Sequence, residues 1–314
     1  MTDPQTAGVP AALTEGLDLR YLARRRLIDR AMRWVLGATA LLSVLITTAI
    51  VVILVRESWG FFAQVPLTEF LFGDEWTPMF ANPQFGMLPL LSGTLWSAGI
   101  ALAIAVPLGL VFSVYLSEYA SHRARETIKP ILETLEAVPT VVYGYFALLF
   151  LTPLAQRFIP GLEGFNLLIP GVVVGIMILP YVVSLSEDAM RAVPRGLREG
   201  AYALGMSRLQ TATRVVIPGA LSGITAALVL GMSRAVGETM VLAIAAGQNP
   251  NLTADPREGA ATITAYIVQM SLGDVAHGSL AYQTIFAVGL VLFLITLSFN
   301  VIGMYLRQRF REEY

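Results

Sequence analysis

The chain has 314 residues, 55% of them hydrophobic and only 14% charged, with a mean hydropathy of +0.66 and a formal net charge of −1. A soluble globule carries about 25% charged residues, so this composition describes a membrane protein. Cysteine is absent, histidine occurs only as His122 and His277, and lysine only as Lys129 in "RETIKP". Disulfides, thiolate metal sites and thiol nucleophiles are excluded, and a multi-histidine metal site has no material. No glycine stands in phosphate-loop register with Lys129, so no cofactor is expected on this chain. If ATP drives it, the nucleotide and its magnesium sit on another subunit.

Taken in chain order, the first feature is a polar arm over 1–30, ending in "RYLARRRLIDRAMRW" and expected to be an amphipathic helix on the inner surface. No small-residue cleavage site follows, so the next apolar stretch reads as an uncleaved anchor. Crossing roughly 30 Å of hydrocarbon takes about 20 helical residues. Six stretches qualify: 31–55, 90–116, 132–154, 167–186, 219–246 and 283–306. The expectation is therefore an all-α, polytopic fold with one six-helix membrane domain over 31–306 and a short tail over 307–314. Small residues on the second stretch (Gly93, Gly99, Ala101, Ala103 and Ala105) favour close helix contact. Positive charge collects on alternate connections: Arg20, Arg24, Arg25, Arg26, Arg30 and Arg33 on the arm, then Arg123, Arg125 and Lys129. Arg191, Arg195, Arg198, Arg208 and Arg214 follow, then Arg307, Arg309 and Arg311. Intervening connections hold one each: Arg56, Arg157 and Arg257. The bias places both termini of this multi-pass protein in the cytoplasm.

The connection "VPRGLREGAYALGMSRLQTATRVVIPGA" spans Val193 to Ala220. Glu199, Ala201 and Gly205, then Val215, Ile217 and Pro218, match the spacing Glu-Ala-Ala-x3-Gly-x9-Ile-x-Leu-Pro, with Gly200 where alanine is usual. Gly205 permits a positive φ between two short helices, and Pro218 suits the first turn of the next one. On these residues the chain resembles the membrane subunits of bacterial ABC importers. The resemblance implies the type I (MetI-like) permease fold and a coupling loop over 193–218 that docks into an ATPase. The coupling residues would be Glu199, Gly200, Ala201, Gly205, Ile217 and Pro218. The bland alternative is a basic loop that only fixes topology.

"FLFGDEWTPMF", "FGMLPLLSGTLWS", "YLSEYASHRARETIKPILETLEAVPTVVYGYFAL" and "SRAVGETMVL" narrow the likeness. From about residue 30 onward the chain is similar to the phosphate importer permeases, more to the C-type subunit (PstC) than to its A partner. That resemblance implies a heterodimer with a homologous permease (PstA), two copies of an ATPase (PstB) and a periplasmic phosphate-binding protein (PstS). Inorganic phosphate would be the cargo, and no nucleic acid is expected as a partner. Importers of sulfate or molybdate remain an alternative, since a guanidinium does not sort tetrahedral anions by charge. A secondary carrier would show inverted repeats, and none is visible. An intramembrane hydrolase would need a nucleophile with a base, paired carboxylates or a metal cluster, and no such cluster emerges in the spans.

Two charges stand inside the fifth apolar stretch, Arg234 and Glu238 in "GMSRAVGETMVLAIAAG". Charges within spans face bundle interiors or aqueous cavities and mark ion paths. Their i, i+4 spacing predicts one helix face and a mutual pair. One reading is a self-neutralising pair or a contact with the partner permease. The other is a path-lining arginine that takes phosphate bidentately and is held by Glu238 when the path is empty. Thr140 and Tyr143 in "PTVVYG" are further candidates for the path lining or a gate. Glu133 and Glu136 are read as first-turn carboxylates favouring a helix dipole, with contact to the loop arginines as the alternative. His122 and His277 are read as solvated.

Overall fold

The computed structural model describes residues 19–309, with side chains from Arg25 onward. Most of the arm, and Arg311 in the tail, lie outside the described residues. The chain divides into two compact units, residues up to Ile53 and residues from Leu54. Helix α1 (Leu19–Phe62) runs without a break through the arginine-rich stretch and the first apolar one. From Arg25 to Ile50 every residue is exposed.

The second unit is mainly helical. Among the described residues its extended pairing is a single antiparallel bridge, Trp76 to Phe85. That bridge follows the short α2 (Leu67–Phe72) and leads into α3 (Leu88–Val114), which ends in a π-helical turn, Tyr115–Tyr119. Phe61, Phe70, Trp76, Phe85 and Tyr266 meet edge to face around the bridge. Rings at such angles gain beyond their buried area, by about 0.5–1.5 kcal/mol per pair. Trp76 of the "EWTP" segment is therefore packed core ahead of α3.

Helix α4 (His122–Ala137) follows a Ser121 cap and carries no buried residue. A bend of 85° separates it from α5 (Thr140–Phe146), which continues through a π-helical turn, Ala147–Leu151, into α6 (Thr152–Ala155). Pro139 fixes that corner, since the residue before a proline is pushed out of helical geometry. Helix α7 (Leu168–Ala192) is the central element. The connection after it holds α8 (Arg195–Ala203) and α9 (Arg208–Thr211), then a π-helical turn, Ala212–Val216, and α10 (Ile217–Gly219). A second bend, of 73°, leads into α11 (Leu221–Val236). After a break come α12 (Met240–Ala245), α13 (Ile263–Leu272) and α14 (Leu280–Arg309).

Four single helices are long and apolar enough to cross a membrane, and the two bent pairs bring the number to six. The expected third and fifth spans need correction. Residues 132–137 belong to α4, a charged helix lying across the end of α7, so the third span begins only at Thr140. The fifth starts after the 73° bend and stops at Gly237, where Glu238 and Thr239 interrupt the helix. Apolar composition ran on through both corners, which is why hydropathy alone drew them straight.

Helices α3 and α7 approach closely, and buried small residues recur every four positions along α3: Gly93, Ser97, Ala101, Ala105 and Gly109. A Cβ on Gly175 of α7 would come within 2.8 Å of the Ala101 carbonyl oxygen, so only glycine permits this approach. Gly99 and Ala103, also expected at a helix contact, are exposed.

Candidate functional site

Three charged groups of the second unit bear on the predicted site residues and on the 193–218 connection. The first is centred on Arg234, in the last turn of α11. The expected pair with Glu238 does not form. The helix ends at Val236, so Glu238 lies in the break and no longer shares a helix face with Arg234. Its carboxylate accepts the Val241 N–H (3.3 Å) in the first turn of α12, and its carbonyl accepts the Thr264 hydroxyl (2.6 Å). Glu238 is buried and holds the break together.

Arg234 turns instead to Glu136 on α4, donating from one terminal nitrogen to a carboxylate oxygen at 2.9 Å. Its guanidinium carbon stands over the Tyr181 ring, 5.6 Å from the centroid, within cation–π range. A guanidinium carries five N–H donors, and Arg234 makes no other hydrogen bond to a described residue. Both partners are partly open, at 33% and 36% side-chain exposure. Glu136 was expected in a helix first turn. Because α4 begins at His122, Glu133 and Glu136 lie in its last turns, where the dipole disfavours a carboxylate. A cation across the gap compensates at Glu136, while Glu133 is exposed.

Thr140 and Tyr143 sit just beyond, at the start of α5. Thr140 is half-buried, and its hydroxyl has no hydrogen bond to a described residue. Tyr143 donates to the Leu135 carbonyl (2.7 Å) across the α4–α5 corner, so its hydroxyl is committed to the corner's geometry. Arg234, Glu136, Tyr143 and the break at Glu238 thus gather where two interrupted elements meet.

The second group ties α4 to α7. Glu187, with a fully buried side chain, accepts from Arg125 (2.8 Å) and Lys129 (3.1 Å), with Arg191 at 3.7 Å. Lys129 also reaches Asp188 at 2.7 Å. Burial pulls the Lys129 ammonium down, but its bonds to Asp188 and Glu187 outweigh that and hold it above its ordinary value. Ile128 and Leu132 pack beside these charges over Leu116, Leu179 and Val183.

The third group anchors the 193–218 connection. Arg198, on α8, donates to Glu118 in the π-helical turn (3.1 Å) and to the carbonyls of Met190 (2.7 Å) and Val193 at the end of α7. One guanidinium thus ties α3, α7 and α8. Neither Glu133 nor Glu136 touches an arginine of this connection, contrary to the alternative weighed for them. Gly205 has φ +81°, the left-handed turn expected between the two short helices, and Ser207 with Gln210 closes a capping box on α9. Ala201 is buried. Glu199 and Gly200 face outward, with open space around Gly200, so the departure from alanine there costs no packing. Pro218 lies in α10, before the 73° bend, rather than in the next spanning helix. Leu204 is 85% and Leu209 61% exposed.

Sequence reasoning missed Glu118, Glu187 and the role of Glu136. Arg198 was read only as part of a topological charge bias. Glu187 stands just past the fourth apolar stretch, and its hydrogen-bond partners Arg125 and Lys129 lie 62 and 58 residues away. His122 pairs with Glu126 at 3.1 Å on the exposed face of α4, and His277 meets the Tyr282 ring edge-on.

Residues 105–312 match the family described as "Binding-protein-dependent transport system inner membrane component". The chain is 34% identical to the probable ABC transporter permease protein YqgH of Bacillus subtilis, over 91% of this chain and 93% of that protein. It is 33% identical to the phosphate transport system permease protein PstC of Haemophilus influenzae, over 82% and 86% respectively. Among solved structures, a bacterial ABC transporter involved in the import of the acidic polysaccharide alginate aligns over 92% of this chain and all of its own. Its TM-score is 0.61 at 17% identity, which establishes a shared fold.

Proposed function

We propose that this chain, which belongs to the family of binding-protein-dependent transport system inner membrane components, is the permease through which an ATP-driven importer moves inorganic phosphate across the cell membrane. As a member of that family it is a transport component and not an enzyme, and it works with an ATPase and a solute-binding protein. The finer assignment is a C-type phosphate permease (PstC) beside an A-type partner (PstA), two ATPase copies (PstB) and a phosphate-binding protein (PstS). The near full-length likeness to the Haemophilus influenzae phosphate permease carries this reading.

In this account both termini face the cytoplasm, in keeping with the alternation of arginine along the connections. The α8–α9 connection is then the coupling element. Its exposed Leu204 and Leu209 suit burial in a protein cleft, and Arg198 transmits the cleft's movement to the ends of α3 and α7. ATP and magnesium are held by the ATPase. Arg234 serves as the anion contact, presenting free N–H donors to phosphate oxygens while Tyr181 supports the guanidinium from behind. Thr140 adds a hydroxyl to the lining, and Glu238 holds the α11–α12 break beside it.

Deleting the subunit and following labelled phosphate, sulfate and molybdate tests the substrate. Loss of high-affinity phosphate accumulation, with the other two intact, is the expected result. Loss of sulfate or molybdate instead would reassign the permease to that oxyanion.

A further inference from the structure

We infer that Glu136 is the displaceable counter-ion of Arg234: its carboxylate occupies the guanidinium while the path is empty, gives way to the incoming oxyanion, and returns as that anion leaves. The inference rests on the reading of Arg234 as the anion contact and adds a residue that reading lacks. The geometry separates the two acidic candidates. Glu238 lies in the break, buried and bonded to the α12 backbone, so it is not free to move toward Arg234 and away again. Glu136 is partly exposed and makes one contact, a single-oxygen pair at 2.9 Å. A single-point pair leaves most of the guanidinium fork for a second acceptor, and a tetrahedral oxyanion takes the fork bidentately.

The mounting of Glu136 suits exchange. It stands one turn before the 85° corner, on a helix with no buried residue. The same helix is fastened to α7 through Arg125, Lys129 and the buried Glu187. Movement of α4 relative to α11 therefore opens or closes this one pair. Glu136 is a positioning residue for the anion's departure: without it, Arg234 keeps the anion longer.

The test uses the complete importer in proteoliposomes with phosphate-loaded binding protein outside. Rates are expressed per assembled complex, for native chain, E136Q, E136D and R234Q. Slower release in E136Q lowers kcat and KM together by roughly two- to fivefold, the scale of a partly exposed ion pair, with kcat/KM unchanged. E136D, which keeps the charge, stays within about twofold of native on the same scale. Native kcat and KM in E136Q, or a fall in kcat alone, would overturn the proposal. So would failure of E136Q to assemble while E136D assembles, because that outcome makes the pair a fold-holding contact. R234Q distinguishes the two levels. Full phosphate transport by R234Q sinks the reading of Arg234 itself, whereas a dead R234Q with a native-like E136Q sinks only the role of Glu136.

Discussion

Replacing Arg198 by alanine probes the joint between the proposed coupling connection and the membrane helices. Glu118, its ionic partner, has a side chain only 4% exposed, and Arg198 is 16% exposed. Without the guanidinium, Glu118 keeps the Ser117 hydroxyl at 2.8 Å as its remaining described hydrogen-bond partner. The last-turn carbonyls of Met190 and Val193 also lose a charged donor. Removing one member of a buried pair costs about 3–5 kcal/mol. Glu118 lies near a helix end that water can reach, which argues for the lower end, about 3 kcal/mol. In a scanning melt of the assembled complex, R198A should unfold at least about 5 °C below native. The double variant E118L/R198M removes both charges and should recover to within about 1 kcal/mol, since apolar replacement of a whole buried pair is often near neutral. Transport should not recover with it, because no charged hydrogen bond then ties α8 to the ends of α3 and α7, and ATP should be hydrolysed with little phosphate moved. Native melting and native transport per ATP in R198A would refute the reasoning.

Other perturbations separate packing from function along the same surfaces. Gly205→Ala forces a Cβ onto a φ of +81°, costing about 1–2 kcal/mol; the melt should fall and Gly205→Asn should fall less, and equal melts for alanine and native would contradict the assignment. Gly200→Ala meets nothing within 4 Å in mid-helix and should raise stability by about 0.5–1 kcal/mol with transport unchanged. A drop in transport at native stability would place the ATPase against that face more tightly than proposed. Glu187→Ala frees Arg125, leaves Lys129 only Asp188, and should loosen α4. With no native cysteine in the chain, a single Ile128→Cys reports this as faster thiol labelling, and an unchanged rate would show that α4 is held by its apolar side alone.

Much of the architecture was legible because composition and spacing are local. The six crossings, the left-handed turn at Gly205 and the short helices around it follow from hydropathy and from residues with few conformational choices. The 85° corner and the α11–α12 break were not, since a proline at 139 and a glycine at 237 interrupt apolar runs that hydropathy averages over. The Arg234–Glu238 expectation failed for the same reason: an i, i+4 rule holds only while the helix continues, and it stops at Val236. The partner found instead, Glu136, lies 98 residues away, beyond any local rule. Glu187 and Arg198 were hidden similarly, as their meaning depends on which helix ends α4 and α8 cross. Arg234, an arginine inside an apolar stretch, has a side chain that stays 33% exposed in this chain.

The central claim is that this arginine touches the passing anion, and phosphate uptake by importer carrying R234Q tests it most directly. Complex assembly and binding-protein docking are measured in the same preparation. Intact assembly with phosphate uptake reduced to background is the predicted result. Uptake at the native rate and affinity, with glutamine at position 234, would contradict the account.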